Sequence, residues 1–569
     1  MGVPVNDERR PLGPAGKVFL AGACAFLAVF LVYPVAHVLI AAFHYRSRFT
    51  LEFFVLLFRQ ETLREALVNS TLIAMAALAG TILISVPLAL LTVRHEFTGR
   101  RYLTGLLLVP MIMPPFVGAM GLQRLLASGG SINLLLQRLG LISEPIPFLT
   151  EGGFWAVVLM EVLHLYPIMY LNVAASLASV DPSLEDAARN LGDRGFHLFR
   201  RITLPLMLPG FLTGAIIVFI WAFTDLGTPL IFNFRRVVAV QIFDYVKDIH
   251  ENPMGYVLVV CVVVLTATAF VGTRLLLRGR AFAAAARGTL STTLSRLSLP
   301  GTLLAYLIIG GIVVIALLPH LGVILNSISQ KWEGTVLPSE TTGRYYGEVF
   351  RRHSLVLPSV RNSVLLSLAS TAIDLVLGVG IAYLLTRRRF RGQAVLDALV
   401  MLPLALPGLV IAFGYVGCFS GTFLDPRRNP MPLLAIAYAI RRLPYMARAA
   451  HAGLAQSHVE HEEASLNLGA TPARTLWRIT LPLIAANILA GTILCFSFAM
   501  LEVSDSLILA MSREFYPITK AIFALHGDGT PLGYSLASAL GVLGMLLLSA
   551  TLLTAGAILG KRMGMLFRA

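Results

Sequence analysis

Twelve apolar runs, each close to the ~20 residues that carry a helix across a bilayer, dominate this chain of 569 residues. They fall near 18–43, 67–93, 103–127, 154–178, 207–231 and 254–277, then near 300–327, 360–386, 395–420, 431–455, 485–511 and 533–559. Only 13% of the residues are charged and 57% are hydrophobic, against about 25% charged in a soluble domain. In lipid every backbone polar group must be satisfied within the segment, so runs of this length read as helices. The expected fold class is all-α: a polytopic membrane protein of about 12 transmembrane helices. The polar, basic start MGVPVNDERRPLGPAGK runs into apolar sequence without a small-residue cleavage site, which reads as a retained first span.

The charges choose the sides. Basic segments 94–101, 185–206, 274–282, 387–391 and 561–564 share one side if both termini are cytoplasmic. The other side then holds Glu144, Glu151, Asp244, Asp248, Glu251, Glu333, Glu340 and Asp528. Lys and Arg gather on the cytoplasmic face of membrane proteins, so both termini are expected inside. The formal charge of +15 is accounted for in this way, and no nucleic-acid motif suggests that partner. Cys24, Cys261, Cys418 and Cys495 lie singly in apolar runs and read as buried, inert thiols.

The two sets of six spans are repeats. Asn69-Ser70 matches Asn362-Ser363; Pro110, Pro114 and Gly121 match Pro403, Pro407 and Gly414; Pro167 matches Pro444. Six spans is an even number, so the copies run parallel, with a pathway expected at their seam. The expected division is 1–277, a small, polar and basic linker 278–299, and 300–569.

One polar block occurs in both halves. EDAARNLGDRGFHLFRRITLPL (185–206) aligns with EEASLNLGATPARTLWRITLPL (462–483) without a gap. Acidic residues suit a helix N-terminus, a glycine permits a left-handed turn, and Leu-Pro opens the next span. The predicted shape is helix, glycine elbow, helix. A plain interfacial helix would explain one copy, but less well two at matched spacing.

The spacing acid-Ala-Ala, three residues, Gly, nine residues, Ile-x-Leu-Pro resembles the EAA loop of binding-protein-dependent ABC importer permeases. Asp186 stands for the usual Glu in the first copy, and Ser465 for an Ala in the second. A double-length chain resembles the fused type I permeases of the iron(III) branch, whose relatives also handle thiamine, polyamines, phosphonates or sugar phosphates. The resemblance implies a bacterial inner-membrane subunit without enzymatic activity or bound cofactor. Two copies of a cytoplasmic ATPase would bring ATP and Mg, and an external binding protein would bring the cargo. It assigns the coupling role to loops 181–206 and 458–483, with Glu185, Asp186, Ala187, Ala188, Gly192, Glu462, Glu463, Ala464, Ser465 and Gly469. A small-residue face allows close packing, and an acid at each start can pair with a basic group on the partner.

No phosphate loop and no catalytic constellation appears in the sequence, which argues against a motor or an enzyme in this chain. An ion-gradient-driven secondary transporter also has two six-helix repeats, but has no reason to keep two docking blocks. Charge inside the bilayer is costly and marks function by default. Asp225 and Glu502 hold one repeat position and read either as gate residues or as helix-end carboxylates. Glu161 and His164 share a helix face and read either as pathway lining or as a local pair; no metal site is expected. Pro87, Pro114, Pro167, Pro407 and Pro444 read as kinks.

Overall fold

The computed structural model describes residues 10–46, 48–149, 153–249, 251–277, 295–351 and 355–559. Glu151, the terminal basic segment and most of the expected linker lie outside the described residues.

The chain is helical almost throughout. Among the described residues, eight helices are long and apolar enough to cross a membrane, and up to eleven segments are if each of three bent pairs counts as one. Span one is Pro14–Ala41, two Glu61–Arg94, four Phe154–Ala178, five Gly195–Ile231, six Met254–Leu277, seven Leu299–Ile328 and eight Val356–Arg387. Span twelve is Pro531–Leu559. Span ten, Met431–Gln456, is equally long but carries Arg441, Arg442 and Arg448. The bent pairs are three, nine and eleven: Arg100–Ile112 with Pro115–Arg138, Gln393–Ala405 with Gly408–Phe419, and Pro472–Leu483 with Ala485–Met500.

Two of the expected kinks are breaks. Spans three and nine turn by 93° and 102° at Pro114 and Pro407. Proline lacks an N–H and pushes the residue before it out of the helical region. Met113 and Leu406 accordingly have ψ of 136° and 126°. Pro87, Pro167 and Pro444 stay inside continuous helices.

Span eight is inverted relative to a soluble helix. Span eight buries Asn362, Ser363, Ser367, Ser370, Thr371 and Asp374, while Leu365, Leu368 and Val376 are exposed. Small and polar residues let helices approach and hydrogen-bond, and lipid covers the aliphatic face. The thiols follow this pattern only in part: Cys495 is buried and Cys24 is exposed. The correction follows from span one, which buries only 22% of its apolar window.

Each half's first span packs on the other half. A Cβ on Gly121 of span three would lie 2.2 Å from the Pro319 carbonyl and 2.7 Å from the Val323 nitrogen of span seven. In the second half, a Cβ on Gly414 would lie 3.0 Å from the Pro34 carbonyl of span one. The Tyr415 hydroxyl donates to the Phe30 carbonyl at 2.6 Å. Pro34 and Val38 precede Pro319 and Val323 by one common offset, so the crossed packing is itself repeated. Two short parallel strand pairs cross in the same sense: Arg10–Pro11 with Arg388–Arg389, and His95–Glu96 with Ser295–Arg296.

Candidate functional site

Both polar blocks fold alike. Asp181 caps the helix Pro182–Asn190, its carboxylate accepting from the Ser183 N–H at 2.9 Å. The second copy is Glu460–Asn467. Each helix ends in a left-handed glycine, Gly192 at φ +100° and Gly469 at φ +87°. The turn is the same twice: Gly192 donates to Arg189 and Asp193 to Ala188; Gly469 donates to Leu466 and Ala470 to Ser465. This pair of bonds is the Schellman arrangement, which satisfies the last carbonyls and calls for glycine. Short helices Gly195–Leu198 and Pro472–Thr475 follow. They lead through π-turns Phe199–Thr203 and Leu476–Thr480 into spans five and eleven.

The first acid of each block, Glu185 or Glu462, is turned inward. Glu185 is buried and accepts from Arg94 Nη2 at 2.8 Å and from the Thr203 hydroxyl at 3.0 Å. Glu462 is buried and accepts from Arg387 Nε at 3.0 Å. Arg387 Nη2 also donates to the Leu454 and Ser457 carbonyls. A carboxylate buried beside the membrane needs such a partner, and the last residue of span two or eight supplies it. Asp186 is exposed and pairs with Arg189 at 2.5 Å; Glu463 is half-buried. Ala187 and Ala464 face out, Ala188 is buried, and Ser465 bonds Thr475 at 3.0 Å. Leu191 and Leu468, each just before its elbow glycine, are 90% and 89% exposed.

At the seam, Asp225 and Glu502 do the same local work. The Asp225 carboxylate accepts from the Thr228 N–H at 2.8 Å, and Glu502 from the Asp505 N–H at 3.3 Å. Each opens a short helix, Gly227–Ile231 or Ser504–Leu509, where its span breaks. The two breaks meet: a Cβ on Gly227 would lie 2.7 Å from Phe116 and 3.3 Å from Val503.

The surroundings differ between halves. In the second half, Arg441 and Arg442 both bond the Glu502 carboxylate. Arg441 also lies 3.6 Å from Asp505, and Arg442 donates to the Phe498 carbonyl at 2.7 Å. The Tyr438 and Ser506 hydroxyls are 2.5 Å apart. A Cβ on Gly408 would meet Arg441 at 2.2 Å, so the guanidinium rests on bare backbone just after the break in span nine. In the first half, Glu161 turns toward Asp225 and Thr228, while His164 faces His320 and the Pro110 backbone. Glu161 and His164 therefore point to different neighbours. The seam holds Glu161, Asp225, Glu502 and Asp505 against Arg441 and Arg442.

Sequence reading missed the work of Asn69-Ser70 and Asn362-Ser363, although their repetition was the signal. The Ser70 hydroxyl accepts from the Val238 N–H at 2.9 Å, and that of Ser363 from the Ile518 N–H at 2.8 Å. These residues open the helices Val238–Tyr245 and Ile518–Gly527. The asparagines donate to the carbonyls of Arg236 and of Glu514 at 3.0 and 2.8 Å. The two helices meet through Lys520, which donates to the Leu507 carbonyl at 2.8 Å and sits 5.6 Å over the Phe243 ring. Burial, with Lys247 nearby, draws the Lys520 ammonium down to about 8.

The ferric transport system permease protein FbpB of Actinobacillus pleuropneumoniae is 25% identical over 510 residues, spanning 86% of this chain and 71% of its own. FbpB 1 of Haemophilus influenzae is also 25% identical, over 85% of this chain and 77% of its own. The molybdate/tungstate permease protein WtpB of Pyrococcus abyssi is 29% identical over only 30% of this chain and 66% of its own. A crystallised bacterial ABC transporter involved in alginate import is 18% identical, with a TM-score of 0.37 over 45% of this chain and 94% of that one. The family described as binding-protein-dependent transport system inner membrane component matches residues 72–281 and 374–565, once in each repeat. With most of its length matched, the chain belongs to that family, the membrane permeases of ABC importers.

Proposed function

We propose that this chain supplies both permease halves of an ATP-driven importer and docks two cytoplasmic ATPase subunits, one on each polar block. The observation that carries this reading is the pair of blocks, which share helix, left-handed glycine, second helix and buried anchor. Ala187 and Ala464, with the exposed Leu191 and Leu468, offer each ATPase a small, apolar seat whose burial favours association. Segments 181–206 and 458–483 would then lie inside the cell with both termini. The division into 1–277 and 300–569 around a linker follows the same reading. An external binding protein would deliver cargo to the opposite face, where the two broken spans meet.

For cargo we propose ferric iron. The FbpB relatives align with 86% and 85% of this chain, whereas the molybdate/tungstate permease aligns with 30%. The test is uptake into proteoliposomes holding the chain, its ATPase and its binding protein. Radiolabelled ferric iron is expected to accumulate only with ATP, and molybdate is not expected to compete. Accumulation driven by an ion gradient without the ATPase would overturn the mechanism. Molybdate uptake in place of iron would overturn the cargo alone.

A further inference from the structure

We infer that spans two and eight are rigid rods linking each polar block to the far end of its half, with Ser70 and Ser363 as positioning residues at the far end. This rests on the ATPase-docking reading above.

Each rod is unbroken. Glu61–Arg94 and Val356–Arg387 are single helices, and Ser70 to Arg94, like Ser363 to Arg387, spans 24 residues. At 1.5 Å per residue that is about 36 Å, enough to cross the ~30 Å hydrocarbon layer. Both ends are tied by side-chain bonds. At the near end Arg94 and Arg387 hold the buried Glu185 and Glu462. At the far end Ser70 and Ser363 accept the first N–H of Val238–Tyr245 and Ile518–Gly527. Asn69 and Asn362 add a second bond to the segment leading into each helix.

The covalent route from block to far end is less direct. It runs through spans five and eleven, which end as regular helices at Thr224 and Met500. Span eleven is also bent by 75° near its start. A break absorbs a displacement that a continuous helix transmits. The far helices are also where the halves close on each other, through Lys520 and Phe243. A rod that shifts with its block therefore shifts this closure. The same bonds occur in both copies although the sequences around them differ.

The test uses the full complex in lipid nanodiscs, with spin labels at Lys247→Cys and Asp528→Cys after replacement of the four native cysteines. Both positions are exposed. In the labelled parent, trapping the ATPase with ATP and vanadate is expected to shift the inter-label distance. In Ser70→Ala/Ser363→Ala the complex is expected to assemble and hydrolyse ATP within about twofold of the parent. The shifted population should fall about fivefold, the scale of losing buried hydrogen bonds. Ser70→Thr/Ser363→Thr, which keep the hydroxyl, should restore it, and Ser70→Ala alone should give an intermediate loss. A purely structural role would lower assembly and hydrolysis together. A full shift in the alanine pair overturns the rods. Failure of the parent to hydrolyse ATP or to shift overturns the docking reading itself.

Discussion

Arg442→Met destabilises the folded chain by about 3–5 kcal/mol, the scale of stranding a buried charge. Glu502 is buried and has two guanidinium partners. Losing one leaves a carboxylate that Arg441 shares with Asp505. The Phe498 carbonyl loses its donor as well. Thermal unfolding in detergent, followed by loss of monodisperse protein, reads the effect. Adding Glu502→Gln to Arg442→Met should recover part of the loss, since a neutral amide is cheaper to bury than an unpaired carboxylate. An Arg442→Met protein as stable as the parent would remove this cluster from the account.

The second large effect separates folding from coupling. Gly192→Asp and Gly469→Asp should each fold and reach the membrane, yet abolish ATP-driven uptake. The left-handed φ costs a non-glycine residue about 1–2 kcal/mol, and nothing lies within 4 Å of a Cβ at either position, so there is no clash. The new carboxylate sits beside Leu191 or Leu468, each almost fully exposed. Under a docked ATPase it would be buried without a partner, at roughly 3 kcal/mol or more, over a hundredfold in affinity. ATPase co-purification and uptake are the two readouts. Gly192→Ala and Gly469→Ala bear the backbone strain without the charge and should keep most of the binding. Normal uptake in the aspartate variants would sink the docking role of the blocks.

The features legible in advance were those written in local chemistry. Span positions follow from apolar runs, and the elbow follows from a glycine at a fixed distance from an acidic helix start. Three things were not legible. Pro114 and Pro407 look like any other helix proline in the sequence, although Pro87, Pro167 and Pro444 stay inside continuous helices while these two end theirs, with Arg441 lying on Gly408 beyond the second break. Glu185 and Glu462 look like surface acids, and only the fold brings Arg94 and Arg387, 91 and 75 residues earlier, onto them. The crossed packing of spans one and seven is a long-range choice, signalled only by Gly121 and Gly414 at matched places. For the seam, sequence reading offered gate or helix end for Asp225 and Glu502; both carboxylates accept from the first turn of a short helix, and the two breaks meet at Gly227 and Val503.

The central claim is that one chain carries both ATPase contacts, and the mass of the intact complex tests it most directly. Native mass spectrometry of the detergent-purified assembly should give one copy of this chain with two ATPase subunits, falling to one ATPase when either elbow glycine is changed to aspartate. Two copies of this chain per pair of ATPases, or a stable assembly with a single ATPase in the unaltered protein, would contradict it.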